Sequence, residues 1–128
     1  MKLVDTVAII GFLNPKDKGH SRSVEHLRRI STEGEVFVPA IALVEADLVM
    51  KLRGYDGPER QVSWRAIEGE VMANKVVPNS ASSIYNAIEL QGQGLDYFDS
   101  LVVSLALETR SSVITTDRRI AETVETEW

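Results

Sequence analysis

Four carboxylates stand in this sequence where a carboxylate is hard to accommodate or conspicuously placed: Asp5, Glu45, Asp99 and Asp117. Gathered in one pocket, four such groups cannot all stay ionised without a counter-charge. A hard divalent cation supplies it, and ligation by oxygen alone points to Mg²⁺ or Mn²⁺, which keep part of their water shell. An ion held this way activates water and neutralises the charge that builds on a phosphodiester under attack. Thiolate sites are excluded because the chain has no cysteine, and His20 and His26 lie six apart and face different ways on a helix, which argues against zinc.

Each acid also has a bland local reading. If Asp99 lies on a helix, its neighbours at i+3, i+4 and i+7 are Val102, Val103 and Ala106, so its carboxylate centres on a core-facing arc and carries a desolvation cost. The alternative makes Asp96 the N-cap and Asp99 the acid three residues on, serving the first turn and its dipole. For Asp96 the cap is the better reading; for Asp99 the two balance. Glu45 is flanked by Ile41, Leu48, Val49 and Leu52 at helical spacing, whereas Asp47 points away. A buried structural glutamate paired with an arginine is the alternative there. Asp5 follows a short strand and, taken alone, is best read as the cap of the next helix. Thr115 and Thr116, before Asp117, are positioned to orient ligands or water from behind the acids, although a threonine in a strand most often only fills the strand.

The elements that would carry these residues alternate. Residues 2–5 form a strand, residues 6–13 a buried helix ended by Asn14-Pro15, and residues 18 to about 32 an amphipathic helix with Val24, Leu27 and Ile30 inward. A second strand over 35–39 leads into the Glu45 helix, about 40–53. Gly54 to Pro58 breaks the chain before a helix to about residue 73, in which Trp64, Ile67 and Val71 are packing residues. A third strand over 75–78 precedes a helix from about 80 to 90 with Ile84, Ala87 and Ile88 inward, closed by Gly92 and Gly94. The Asp99 helix, a fourth strand over 111–116, a helical turn over 118–122 and a brief tail complete the order. Gln91-Gly92-Gln93-Gly94 follows a helix and lacks the Gly-Lys-Ser/Thr ending of a phosphate loop.

Alternating short strands and helices imply a parallel sheet covered on both faces. In such sheets ligands bind at the carboxyl ends of the strands, near the point where strand order reverses. Asp5 and Asp117 follow strands at that edge, and Glu45 and Asp99 lie in the first part of helices that start from it or close to it, so all four can converge. With 128 residues, 44% of them apolar, the chain is expected to be one domain over 1–128. No apolar run nears the roughly 20 residues of a membrane span, and the opening is too short and acidic for a signal peptide, so a cytoplasmic protein is expected. A net charge of −5 speaks against gripping nucleic acid by bulk charge, although arginine pairs occur at Arg28-Arg29 and Arg118-Arg119.

Leu3-Val4-Asp5-Thr6, Leu43-Val44-Glu45-Ala46, Tyr97-Phe98-Asp99-Ser100-Leu101-Val102-Val103 and Ile114-Thr115-Thr116-Asp117-Arg118, in that order and spacing, resemble the PIN-domain nucleases, and among them the VapC-type toxins of toxin-antitoxin pairs. The resemblance covers essentially the whole chain. It implies a three-layer α/β/α fold with a short central parallel sheet of four or five strands. It also implies metal-dependent cleavage of RNA using Asp5, Glu45, Asp99 and Asp117, a homodimer, and neutralisation by a small antitoxin. Many relatives carry a small polar residue where this chain has Val7, a departure that bears on activity. A catalytically weak RNA-binding or RNA-processing module is therefore the second reading. A receiver-type or phosphatase-type phosphoryl-transfer domain fits less well, since Asp5-Thr6-Val7 is not an Asp-x-Asp pair and no lysine follows a late strand.

Overall fold

In the computed structural model, which describes residues 1–128, the order is β1 (Lys2–Val4), α1 (Thr6–Leu13), α2 (His20–Thr32), β2 (Val36–Pro39), α3 (Ala40–Leu52) and α4 (Gly57–Glu68). A 3-10 turn (Ala73–Lys75) then leads to β3 (Val76–Val77), α5 (Ala81–Gly92), α6 (Tyr97–Thr109), β4 (Ser112–Ile114), α7 (Arg118–Ala121) and β5 (Thr126–Glu127). The strands form one sheet in the order β3-β2-β1-β4-β5, with every pairing parallel. No helix is long and apolar enough to cross a membrane.

Successive side chains of a strand point to opposite faces, and here both faces are apolar. Val4, Val36, Val38 and Ile114 pack on one side with Ala8 and Ile9 of α1, Leu27 and Ile30 of α2, and Ala42 and Ala46 of α3. Leu3 and Val113 pack on the other with Val102, Val103, Leu105 and Ala106 of α6 and Ile120 of α7. The sheet is thus the middle of three layers. Residues 99 to 106 of α6 are all buried, as a helix clamped between the sheet and α5 requires. Strand order explains the layering: β1, β2 and β3 progress one way and β4 returns to the other side of β1, so right-handed crossovers send the later helices to the opposite face.

Several sequence expectations shift. The second helix starts at His20, not at residue 18, and the fourth ends at Glu68, because the chain turns at Gly69 before Val71 packs. On α5 the buried residues are Ser83 and Ala87, while Ile84 and Ile88 are 46% and 62% exposed. The reason is close approach: Ser104 Oγ donates to Ser83 O at 2.5 Å, a separation that only small side chains allow between α5 and α6. On α3 the core side is Ala42, Ala46 and Met50, and Leu48 and Leu52 are exposed, so the apolar arc around Glu45 extends past the core. Asp47 is not free in solvent. It accepts a bidentate pair from Arg60 and a bond from Trp64 Nε1 at 2.8 Å, joining α3 to α4.

Candidate active site

The strand order reverses between β1 and β4, and the side chains that follow these two strands meet there. Asp5, 5% exposed, accepts a hydrogen bond at Oδ2 from Thr115 Oγ1 at 2.8 Å. Thr115 Oγ1 in turn accepts from the Asp117 amide at 3.0 Å, so one hydroxyl ties the first acid to the last, 112 residues along the chain. Asp5 Oδ1 is buried and has no partner. Asp5 does stand at the N-cap position of α1, in extended backbone, but its carboxylate makes no cap hydrogen bond there. Thr116, expected beside Thr115, is exposed and turned outward, as alternation along an extended segment demands.

Glu45 reaches the same region from α3. Its Oε1 accepts from Thr6 Oγ1 at 2.5 Å, which fixes the half-buried carboxylate against the start of α1. Asp96 caps α6, taking the Asp99 amide on Oδ1 at 2.9 Å. Both readings of Asp99 hold at once: it is the third residue of a capped helix and its side chain is buried, 7% exposed. Asp117 caps α7 through Oδ1 to the Arg119 amide at 2.8 Å. Val7, the departure noted above, is half-buried one residue after Thr6 and brings no polar atom.

Electrostatics links all these acids. Burial pushes the Asp5 carboxyl up to about 6, with repulsion from Glu45 and Asp117 adding to it and the Thr115 hydroxyl opposing it. Asp99 is pushed up to about 8 by burial, then by Asp117, Asp96 and Asp5. Glu45 is raised by burial and by Asp96 and Asp117, against the bond from Thr6. None of the five has a salt bridge. Acids elsewhere do, such as Asp47 with Arg60 and Glu127 with Lys2 and Arg29.

A buried, unpaired carboxylate oxygen beside mutually repelling acids has the chemistry, oxygen donors and uncompensated negative charge, that a hard cation requires. In this structure no three of the carboxylates stand close enough together to hold a metal ion as they are. A separate groove of about 360 Å³ lies between α5 and α6, lined by Asn86, Ser104 and Glu108 among others, and holds none of these five acids.

The sequence profile of the PIN domain matches residues 2–125. The chain belongs to the PIN domain family. As a PIN domain it resembles solved structures over nearly its full length. VapBC2 of Rickettsia felis, solved on a DNA fragment from its promoter, superposes with a TM-score of 0.70 at 15% identity, covering 99% of this chain and 98% of that one. FitAcB of Neisseria gonorrhoeae gives 0.71 at 20% identity, covering 98% and 96%. VapC20 of Mycobacterium tuberculosis, a toxin that cleaves the sarcin-ricin loop, gives 0.72 at 15% identity, covering 95% and 94%. At such identities the likeness establishes the fold. No curated protein matches the sequence.

Proposed function

We propose that this PIN domain, a single domain over 1–128, is a Mg²⁺- or Mn²⁺-dependent endoribonuclease and acts in the cytoplasm as the toxin of a toxin-antitoxin pair. The observation that carries the reading is the set of five acids, electrostatically coupled and none of them salt-bridged, around an unpartnered Asp5 oxygen. Asp5, Glu45, Asp99 and Asp117 would hold the ion, which when bound supplies a nucleophilic water and charge neutralisation at the phosphodiester. Thr115 engages one oxygen of Asp5 and Thr6 one oxygen of Glu45, and the other Asp5 oxygen, buried and without a partner, is left for the ion. Asp96 adds negative charge next to Asp99 and stiffens the first turn of α6.

The test is cleavage of a labelled single-stranded RNA by the purified chain. Cleavage with Mn²⁺ or Mg²⁺, its loss with a chelator, and its loss in Asp5→Asn are the expected results; metal-independent cleavage would overturn the reading. The second reading, a weak or inactive RNA-binding module, draws on Val7. It predicts RNA binding without turnover. If Val7→Asn then gains cleavage, the apolar residue is the cause.

Apolar side chains left outside the fold support protein partners: Ile84, Tyr85 and Ile88 on α5, and Val44, Leu48 and Leu52 on α3. A homodimer and a small antitoxin would cover them. Light scattering on the purified chain is expected to give twice the monomer mass, and a monomer at high micromolar concentration would remove the dimer from the proposal.

A further inference from the structure

Two loops flank the acids on the crevice's α6 side, and one side-chain hydrogen bond joins them. One loop, between α5 and α6, holds Gly94 and the cap Asp96; the other, between β4 and α7, holds Thr115 and Asp117. Arg119 belongs to the second loop's helix and donates from a guanidinium nitrogen to Gly94 O at 3.0 Å, while its own amide donates to Asp117 Oδ1 at 2.8 Å. Gly94 adopts φ +106, a left-handed conformation that favours glycine and turns the chain out of α5. Below the bond the loops stand apart, leaving a cleft of about 100 Å³ lined by Gln93, Gly94, Leu95, Arg119, Glu122 and Thr123. The adjoining residues are better anchored: Ile120 is fully buried, and Leu95 packs against its cluster.

We propose that Arg119 is a positioning residue that clamps the Asp96–Asp99 segment to Asp117 and so sets the spacing at which these acids receive a divalent cation. The proposal rests on the nuclease reading for its purpose, but the clamp itself does not. Arg119 touches neither the scissile bond nor the ion; it acts through Gly94 O and Asp117. Its charge alone would have the opposite consequence. A guanidinium near an acidic site repels a cation, so a residue that mattered only through its charge would, on removal, let Mn²⁺ bind more tightly.

The sign of the change therefore decides the question. Mn²⁺ binding to the full chain is measured by titration calorimetry for the parent, Arg119→Ala, Arg119→Lys and, as a surface control, Arg28→Ala. Arg119→Ala is expected to weaken Mn²⁺ binding by roughly fivefold, a change on the scale of one modest hydrogen bond. Its melting temperature is expected to stay within about 2 °C of the parent, as for most surface substitutions. Arg119→Lys, which keeps the charge but loses the planar fork, is expected to fall between the two. Unchanged or tighter binding in Arg119→Ala overturns the clamp. If the parent binds no Mn²⁺ and cuts no RNA, the nuclease reading fails, and amide hydrogen exchange decides the clamp alone. Faster exchange at the Asp99 and Asp117 amides in Arg119→Ala supports it, and unchanged exchange at both overturns it.

Discussion

Two carboxyls in the crevice behave unlike ordinary acids, and the consequences can be measured. Asp5 and Asp99 rise from 3.8 to about 6 and about 8, so the folded chain holds their protons more tightly than the unfolded chain does. Stability from these groups is complete below the unfolded value and is lost as pH rises through 6 and 8. Asp99→Asn removes the like-charge repulsion, and we expect it to abolish RNA cleavage while raising the melting temperature at pH 8 by roughly 4 °C per kcal/mol gained. If purified Asp99→Asn cuts RNA at the parent's rate, Asp99 does not hold the ion. Thr115 gives a second test, since its hydroxyl serves both Asp5 and Asp117. Thr115→Val should cost about 1–3 kcal/mol and most of the activity, with Thr115→Ser restoring both. A valine variant that melts and cuts like the parent would show that the hydroxyl is dispensable. What the sequence offered at this scale was the residue types. Which of two adjacent threonines touches an acid depended on side-chain alternation, and the partnering of Thr6 with Glu45 spans 39 positions that no local pattern connects.

At the level of elements, helix placement followed the sequence where apolar period and burial agree, as on α6, and less well on α2, where Ser23 and His26 are buried and Val24 only half-buried. It failed where small residues decide the packing. On α5 the large apolar residues lie outward because Ser83 and Ala87 admit α6 at close range. The same device joins α1 to α2: a Cβ on Gly11 would collide with the Ser23 hydroxyl, so the glycine permits the crossing. Gly11→Ala is expected to destabilise the chain by about 1–3 kcal/mol, the usual cost of overpacking. Denaturant unfolding of Gly11→Ala alone and with Ser23→Gly checks this. The second change should recover part of the loss, and additive losses would show that the two positions are not in conflict.

For the whole molecule, a net charge of −5 and an acidic crevice make the protein a poor electrostatic ligand for RNA until a cation intervenes. A divalent ion bound only by the folded chain adds roughly 2.7 kcal/mol at about a hundred times its dissociation constant. Mn²⁺ should therefore raise the melting temperature at pH 8, with reversal by chelator. The effect should shrink at pH 5, where Asp5 and Asp99 hold protons and must release them to bind. A metal-induced shift of equal size at both pH values would place the ion elsewhere. By itself the sequence determined the alternation of strands and helices, the parallel sheet, and that Asp5 and Asp117 follow strands, because these depend on apolar period and on which residue follows a strand. Only the tertiary structure decided that a hydroxyl bridges Asp5 to Asp117, that no arginine or lysine pairs with these acids, and which helix faces remain uncovered. Those depend on side chains brought together from distant parts of the chain by the return of β4 to the side of β1.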